Sequence, residues 1–324
     1  MNYKDQVVWI TGASSGIGEA LTHALYQKGA KLILSARRTD ELERVKRECT
    51  GTLHAASDCE DGVAGVVPSA NDTVSAKAAN SENDAVSAKA AASENDTVPA
   101  EVAAPETSPR RSEDRIVILP LDLSEPERFS QKTEEAIAAF GHVDMLINNG
   151  GMGQRAKAVE AQMKTIRRVM EVNFFGTVGL TQAVAPHMIE RGDGHIVVVS
   201  SVMGKIGTAW RSTYAASKHA LHGFFDSMRH EVEGQGLKVT LVCPGFVSTD
   251  ITKHALLADG STFGKVGRGQ MHGMPADVFA EKMLSKLGHG KKEIFIGGKE
   301  VYAVYLKRIS LNLLDFVLKR ADIK

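Results

Sequence analysis

The sequence predicts an α/β fold, a doubly wound (Rossmann) seven-stranded parallel sheet in a single domain spanning residues 1–324. Short apolar runs alternate with segments of helical period, as they do where helices cover both faces of a parallel sheet. The first run leads into a glycine-rich turn that a helix pattern follows. With 324 residues, 43% of them hydrophobic, the chain can bury a large core.

Seven apolar runs are the predicted strands, and amphipathic segments between them are the predicted helices. The predicted strands are Val7–Thr11, Lys31–Ser35, Arg115–Leu121, Val143–Asn148, His195–Ser200, Lys238–Cys243 and Glu293–Ile296. The helical segments include Gly16–Lys28, Glu125–Phe140, Thr165–Glu190 and Thr213–Glu233.

The segment from Gly51 to Glu113 differs in composition from the rest of the chain. It contains no aromatic residue and no Ile, and a 12-residue unit recurs from Asn71, Asn83 and Asn95. Because such repeats have no bulky apolar residues to stack, we expect residues 51–113 to be a low-complexity, disordered insertion rather than a folded subdomain. The formal net charge of zero hides an acidic insertion and a basic remainder, and a basic domain suits an anionic dinucleotide.

Cysteine and histidine placement predicts no metal site. The three cysteines, Cys49, Cys59 and Cys243, give neither a disulfide framework nor a zinc-binding spacing. Three histidines share one predicted helix, but the sequence nearby supplies no carboxylate or cysteine to complete a ligand set. They are His219, His222 and His230.

The sequence argues against several classes of binding partner and cellular compartment. Lys+Arg and Asp+Glu each number 39, a balance that does not favour nucleic-acid binding. The short polar start, Met1 to Gln6, does not resemble a signal peptide, and no apolar run is long enough to span a membrane. We therefore expect a cytoplasmic protein with no membrane span and no nucleic-acid partner.

The glycine-rich turn predicts a dinucleotide site. It reads Thr11-Gly12-Ala13-Ser14-Ser15-Gly16-Ile17-Gly18 at the end of the first strand. Glycines there let the backbone approach a pyrophosphate, and the following helix N-terminus offers free N–H groups and a positive dipole end. The predicted contacts are Gly12, Ser14, Ser15, Gly16, Ile17 and Gly18.

Tyr214 and Lys218 are the predicted acid–base pair. Four residues apart on a helix, they share one face, and a nearby ammonium would lower the pKa of the phenol toward a useful range. Tyr and Lys four residues apart also occur by chance on surface helices, so this assignment depends on two further positions. Ser201 follows the fifth strand, and Asn173 is a polar residue within an apolar helix pattern, a local conflict typical of functional sites.

The TGxxxGxG turn, with Asn173, Ser201, Tyr214 and Lys218, resembles the short-chain dehydrogenase/reductase family over essentially the whole chain outside the insertion. The resemblance implies hydride transfer between a nicotinamide cofactor and the carbonyl or secondary alcohol of a small, apolar substrate. It implies that Tyr214 exchanges the proton while Ser201 binds the substrate oxygen. Lys218 would tune Tyr214 and hold the nicotinamide ribose, and Asn173 would complete a proton relay.

The end of the second strand bears on cofactor choice. Where an acidic residue of the family selects NAD, this sequence has Ala36, followed by Arg37 and Arg38. Since an arginine can pair with a 2′-phosphate, we expect NADP(H), with NAD(H) possible. The two arginines could instead form a solvated charge pair. Asp122, followed by Leu123, matches the family's adenine contact and could equally cap a helix.

The resemblance implies further cofactor contacts after the fourth and sixth strands. They are Asn149, Gly150, Pro244, Gly245, Val247 and Thr249. Gly150 stands where the family has alanine, and we expect the missing methyl to loosen packing without removing any chemistry. Pro-Gly alone is also a common turn.

The run Asn148 to Met152, with Gln154-Arg155 after it, resembles the dehydrogenase/reductase member 7 and 7B group. That group tends to carry an N-terminal membrane anchor, which the start of this sequence does not predict. Predicted substrate contacts are Ser201, Met203, Tyr214 and Phe246, with Met152, Val202 and Trp210 completing a wall that could equally be core. The glycine-rich segment 246–274 is predicted to be a substrate-side lid.

Family resemblance suggests a homodimer or homotetramer through the helices that contain Asn173 and Tyr214. The mixed apolar and basic segment Tyr302 to Lys319 is expected to pack on the rim of the site, although a subunit or membrane contact is an alternative. An alternative function is a nucleotide-binding scaffold or sensor that uses the repeat insertion as a partner-binding arm. An acyl-thioester reductase is the enzyme alternative.

Overall fold

A seven-stranded parallel sheet of order β3-β2-β1-β4-β5-β6-β7 forms the centre of the molecule. The computed structural model describes residues 1–57 and 114–320. The strands are β1 (Val7–Thr11), β2 (Lys31–Ser35), β3 (Ile116–Ile118), β4 (Met145–Asn148), β5 (Gly194–Val199), β6 (Leu237–Pro244) and β7 (Glu293–Ile296). The predicted doubly wound fold is confirmed.

Ten α-helices flank the sheet within the described ranges. They are α1 (Gly16–Gln27), α2 (Thr39–Ser57), α3 (Phe129–Phe140), α4 (Met163–Met170), α5 (Gly176–Arg191), α6 (Ser212–Glu231), α7 (Arg268–Met271), α8 (Ala276–Leu287), α9 (Tyr302–Ile309) and α10 (Leu311–Arg320). Short 3₁₀ turns span Pro126–Arg128, Val202–Gly204 and Lys299–Val301, and a π-helical turn spans Glu171–Phe175.

Two apolar clusters cover the two faces of the sheet. Helices α1, α2 and α8 pack on one face, and α3, α5 and α6 pack on the other. Every residue of β1 and β5 is buried, which explains why these strands are apolar without alternation. The chain order reverses between β1 and β4, so the connections that leave their carboxyl ends run in opposite directions and leave a crevice where ligands of such sheets bind.

Two elements differ from their predicted bounds. Strand β3 is shorter than Arg115–Leu121, although the backbone N–H groups of Leu119 and Leu121 still donate to the carbonyl oxygens of Leu34 and Ala36. The single predicted helix Thr165–Glu190 is instead α4, the π-helical turn and α5. The turn lies at Asn173, and π-helical turns are frequent at functional sites.

The predicted insertion lies largely outside the described residues. Helix α2 continues through its beginning, Gly51 to Ser57. The repeats and Cys59 fall in residues 58–113, of which the structure gives no description.

The C-terminal helices pack lightly on the catalytic half of the sheet. Ala303 of α9 and Leu314 of α10 are buried in a small cluster with Ile206, which follows β5. Other apolar residues of these helices are exposed, including Tyr302 (68%) and Ile309 (77%). In the part of the chain that the structure describes, no helix has both the length and the apolar character needed to cross a bilayer.

Candidate functional site

The glycine turn joins β1 to α1 in a conformation that depends on glycine. Gly12 and Gly16 have φ angles of 66° and 59°, the left-handed region that other residues seldom adopt. A Cβ on Gly18 would collide with the carbonyl oxygen of Gly12, so Gly18 is needed for packing at the start of the helix. The turn therefore leaves bare backbone beside the first N–H groups of α1, an arrangement that fits a pyrophosphate.

Thr11 ties this turn to the end of β4. Its hydroxyl accepts hydrogen bonds from the backbone N–H groups of Asn149 (3.0 Å) and Gly150 (2.9 Å). The Asn149 amide donates in return to the carbonyl oxygens of Thr11 (3.1 Å) and Gly12 (3.3 Å). Leu123 fills the space beside Gly150, where an alanine Cβ would lie 2.7 Å from its Cδ1 atom. The missing methyl is thus compensated by a neighbouring side chain.

A groove of about 720 Å³ runs along the carboxyl ends of β1, β2 and β4, and we call it the glycine-turn groove. Twelve of the predicted cofactor contacts line it, namely Thr249 and eleven others. They are Gly12, Ser14, Ser15, Gly16, Ile17, Arg37, Arg38, Asp122, Leu123, Asn149 and Gly150. Gly18 does not line the groove and lies behind it.

Two arginines and one carboxylate stand at the far end of this groove. Arg38 Nη2 lies 3.3 Å from Ser14 Oγ and 3.4 Å from Ser15 Oγ, while Arg37 interacts with Asp122. Asp122 accepts hydrogen bonds from the N–H (2.9 Å) and hydroxyl (2.7 Å) of Ser124. Burial alone would raise the pKa of Asp122, but these bonds and Arg37 outweigh it and lower that pKa. Both arginines are exposed and free to meet an anion.

The second opening is a cavity of about 270 Å³ that continues from the groove, here called the Tyr214 cavity. The predicted substrate contacts line it, as do most of the remaining cofactor positions. They are Ser201, Met203, Tyr214 and Phe246, with Lys218, Pro244, Gly245, Val247 and Thr249. Three neighbouring strand ends, those of β4, β5 and β6, and the first turns of α6 bring these residues together.

Tyr214 is half-buried and lies beside Ser201, whose hydroxyl is hydrogen-bonded to it. Burial raises the pKa of Tyr214, while the Ser201 hydrogen bond and the charge of Arg211 pull it down. The preceding serine, Ser200, faces elsewhere, since its hydroxyl lies 3.3 Å from the Lys218 carbonyl oxygen and 3.1 Å from His222 Nε2. The hydroxyl groups of the two adjacent serines therefore point in different directions.

Lys218 is held beneath the cavity floor. Its ammonium donates a hydrogen bond to the Val199 carbonyl oxygen (2.8 Å) and lies 5.9 Å from the centre of the Tyr214 ring. Burial lowers the pKa of Lys218 to about 8. We expected Lys218 to lower the pKa of Tyr214; in the structure Ser201, through a hydrogen bond, and Arg211, through its charge, are the groups that do so.

Asn173 is fully buried behind the cavity, in the π-helical turn. Its side chain bonds the Met152 N–H (2.8 Å) and carbonyl oxygen (3.0 Å), and donates to Ser217 Oγ (3.1 Å). Asn173 Oδ1 and Lys218 Nζ lie 3.1 Å and 3.7 Å from the point that a Cβ on Gly151 would occupy. The space beside Gly151 therefore adjoins both polar groups.

The walls of the cavity are largely those predicted, with one exception. Met152, Val202 and residues of the 246–274 segment line it. Trp210 does not, because the chain turns at this residue with a φ of 67° and the indole lies outside, over Lys157. Backbone bridges from Val247 and Leu256 anchor the segment, and its role as a lid stays a prediction.

Two cavity residues escaped the sequence reasoning. Arg211 and Arg155 both line the Tyr214 cavity. Arg211 precedes Tyr214 by three residues, a helical spacing that would have indicated it. Arg155 comes from the loop after β4 and shows no such signal.

A buried cluster next to the site was also missed. Beside His222 lie Cys243 of β6 (3.6 Å from Nε2) and Glu293 of β7 (3.3 Å from Nδ1). Burial alone would raise the pKa of Glu293, but hydrogen bonds from His222 and Lys205 lower it to about 2. The residues come from separate strands, so spacing along α6 gave no sign of the cluster.

Comparison with known proteins decides the family. The family model described as short chain dehydrogenase matches residues 6–68 and 73–259. The chain belongs to the short-chain dehydrogenase family. It is therefore an oxidoreductase, and the enzyme expectation is confirmed.

The curated relatives place the chain near the predicted group within this family. It is 35% identical over 294 residues to human dehydrogenase/reductase SDR family member 7, covering 90% of this chain and 70% of the relative. It is 33% identical over 320 residues to a Drosophila melanogaster dehydrogenase/reductase SDR family protein 7-like, covering 98% and 81%. Mouse member 7B is 30% identical over 311 residues, covering 96% and 79%.

Solved structures share the fold. A short-chain dehydrogenase from Streptomyces avermitilis has a TM-score of 0.67 at 25% identity, covering 99% of this chain and 100% of that one. A short-chain dehydrogenase from Burkholderia cenocepacia, solved in complex with NADP, has a TM-score of 0.64 at 19% identity, covering 98% and 99%. One from Burkholderia phymatum, in complex with NAD, has a TM-score of 0.67 at 21% identity, covering 98% and 96%.

Proposed function

We propose that the chain is an NADP(H)-dependent oxidoreductase that interconverts a carbonyl and a secondary alcohol on a small substrate with an apolar body. The observation that carries this proposal is the hydrogen-bonded pair of Tyr214 and Ser201, which lines an apolar-walled cavity continuous with the glycine-turn groove. When bound, a nicotinamide cofactor supplies or accepts the hydride.

The chain's own residues supply the proton chemistry. Tyr214 donates a proton to the oxygen that gains charge as the carbonyl is reduced, and Ser201 donates a hydrogen bond to that oxygen. The groups that pull the Tyr214 pKa down favour this exchange. In the alcohol-oxidising direction the same phenol takes the proton.

Lys218 and Asn173 complete the proposed machinery. The Lys218 ammonium, with its lowered pKa of about 8, is the group we assign to the nicotinamide ribose and to proton resupply. Asn173 meets it across the space beside Gly151, which is where a proton relay would run. Asn173 also fixes the Met152 backbone, so it shapes the cavity as well.

The proposed preference for NADP(H) rests on the end of the glycine-turn groove. Ala36 supplies no carboxylate to repel a 2′-phosphate, and exposed Arg37 and Arg38 flank the place where it would lie. Arg38 already reaches the serines of the glycine turn. Fluorescence titration with NADPH and NADH tests the preference, and equal affinities or tighter NADH binding would remove it.

The reaction is tested by following NADPH consumption over ketones, quinones, retinoids and steroids. Substrate-dependent consumption by the wild-type protein, lost in Tyr214→Phe with nucleotide binding unchanged, is the expected result. Full turnover by Tyr214→Phe on an accepted substrate would show that the proposed mechanism is wrong.

We propose a homodimer or homotetramer that uses α5 and α6. Phe175, at the end of the π-helical turn before α5, is 53% exposed and stacks edge-on with Phe174, which also meets Phe224 of α6. Light scattering coupled to gel filtration gives the mass in solution. A dimer that Phe175→Asp converts to monomers would support this surface, and a wild-type monomer would contradict it.

A further inference from the structure

The charge inside the Tyr214 cavity is unbalanced. Arg155 and Arg211 line it with Lys218, and among the lining residues that the structure describes there is no Asp or Glu. The groove beside it differs, since Asp122 stands there next to the arginines. A cavity lined by cations alone attracts anions.

Arg211 is held in this cavity although no carboxylate neutralises it. Its Nη1 donates to the Gln154 carbonyl oxygen (2.9 Å), which leaves further N–H groups of the guanidinium available. Within the described ranges, no carboxylate lies at ion-pair distance from Arg211 or Arg155. Burial lowers the pKa of Arg211, and repulsion from Arg155 adds to this. A desolvated charge without a partner is costly unless a ligand supplies one.

An unusual backbone conformation just before Arg211 positions this residue. Trp210, just before it, adopts a φ of 67°, a left-handed conformation that is rare and strained for a bulky residue. This turn puts Arg211 at the N-cap of α6, one helical turn from Tyr214, while Trp210 itself stays outside the cavity. Strain of this kind is often retained where it positions a functional group.

Arg155 lines the same cavity beside Arg211, because a backbone bridge joins Ala156 to Arg211. Its guanidinium lies 5.0 Å from the centre of the Phe263 ring, and its charge reaches Arg211. The remaining wall is apolar and includes Met152, Val202 and Phe246. The cavity thus offers an apolar surface and one cationic corner next to the phenol of Tyr214.

We infer that the substrate carries a carboxylate, which binds Arg211 and is also attracted by Arg155, while its apolar body lies against Met152, Val202 and Phe246. The preferred substrates are then oxo acids or hydroxy acids with an apolar body. This inference rests on the proposed function, because it names the substrate class of the same site. Arg211 is a specificity-determining residue in this account, and Tyr214 keeps its role in proton exchange.

The test uses phenyl ketones whose carbonyl is separated from a carboxylate by one to four methylenes, each with its matched primary amide. The measurement is kcat/KM with NADPH at pH 7. For the best chain length we expect the acid to exceed the amide about tenfold to a hundredfold, the range of a charged hydrogen bond. Arg211→Met should bring acid and amide within about twofold, chiefly by raising KM for the acid, and Arg211→Lys should restore part of the preference.

Three variants separate substrate recognition from other roles of Arg211. Arg155→Met should reduce the acid preference by a smaller factor, since Arg155 is half-buried and stacked on Phe263. Lys238→Met removes an exposed charge at the amino end of β6, away from the cavity, and should leave the preference unchanged. If Arg211→Met lowers acid and amide equally, Arg211 is structural or acts only on Tyr214, and the inference is wrong.

A binding measurement separates failure of this inference from failure of the proposed function. Calorimetry of each acid and amide is carried out on the protein saturated with NADP⁺, and it needs no turnover. Tighter binding of the acid that Arg211→Met abolishes supports the carboxylate site even if no ketone is reduced, in which case only the proposed reaction fails. Equal binding and equal turnover of acid and amide would overturn the inference and leave the reaction intact.

Discussion

The glycine-turn groove and the Tyr214 cavity treat charged side chains in opposite ways. In the groove, Arg37 and Arg38 are exposed, and Arg37 faces the carboxylate of Asp122. In the cavity, Lys218 is buried with its pKa lowered to about 8, and Arg211 faces no carboxylate in the described part of the chain. Water screens the charges in the groove, so they cost little stability. Charges in the cavity are desolvated and lower the free energy of unfolding.

This difference indicates different uses. Exposed arginines provide affinity for an anionic ligand without demanding a fixed geometry. Buried, desolvated groups interact strongly and are pre-organised, which suits proton exchange and substrate selection. The predictions below test that contrast, from the largest expected effect to the smallest.

The adjacent serines offer the sharpest test of the cavity. Ser201→Ala should lower kcat about a hundredfold or more, because it removes the hydroxyl that contacts Tyr214 and, as proposed, the substrate oxygen. Ser200→Ala should lower it less than about fivefold, since that hydroxyl faces Lys218 O and His222. Steady-state kinetics on an accepted ketone, with NADPH affinity as control, measures both, and equal losses would refute the assignment of Ser201.

The cost of burying Lys218 should appear in the pH dependence of stability. Its folded pKa of about 8 lies below the ordinary 10.5, so between these values the unfolded chain binds more protons. The contribution of Lys218 to the free energy of unfolding therefore becomes more favourable as the pH rises across that window, by on the order of 3 kcal/mol in total.

Urea unfolding of the nucleotide-free protein at pH 8, 9 and 10 measures this rise. Lys218→Met should show a smaller increase in the free energy of unfolding over the same range, because it has no proton to lose. Parallel curves for wild type and variant would mean that Lys218 is not desolvated.

Substitutions in the glycine-turn groove should have smaller effects, and these effects should appear only in nucleotide binding. Arg38→Ala and Arg37→Ala should each weaken NADPH binding about tenfold, with little change for NADH, because one exposed charge-assisted contact to the 2′-phosphate is lost. Raising the salt concentration should reduce the wild-type advantage. Competition titrations give both affinities, and an equal loss for NADH would assign the arginines to another part of the nucleotide.

Gly150→Ala should have the smallest effect, about 1 kcal/mol or less in unfolding free energy. The new methyl would press on the end of the Leu123 side chain, which can turn away. Gly18→Ala is the matched contrast, since its methyl would meet the Gly12 backbone carbonyl, which cannot move easily. Thermal unfolding should show a much larger loss of stability for Gly18→Ala. Similar losses for the two variants would mean that the Leu123 side chain cannot turn away.

The sequence by itself determined the sheet and the glycine turn, because these depend on local signals: apolar runs and glycine spacing. The set of Asn173, Ser201, Tyr214 and Lys218 came from helical spacing together with the family resemblance, and its role stays a prediction. The length of β3 depends on its pairing with β2, which only the fold supplies.

Only the tertiary structure decided which groups meet across chain distance. Asn173 lies in the π-helical turn, where its amide is bonded to Met152 from the loop after β4. Cys243 and Glu293 reach His222 from neighbouring strands, and Arg155 reaches Arg211 from the loop after β4. Desolvation and pairing are properties of such assembled surroundings, and periodicity along one element does not encode them. The unbalanced charge of the Tyr214 cavity therefore became visible only in the folded chain.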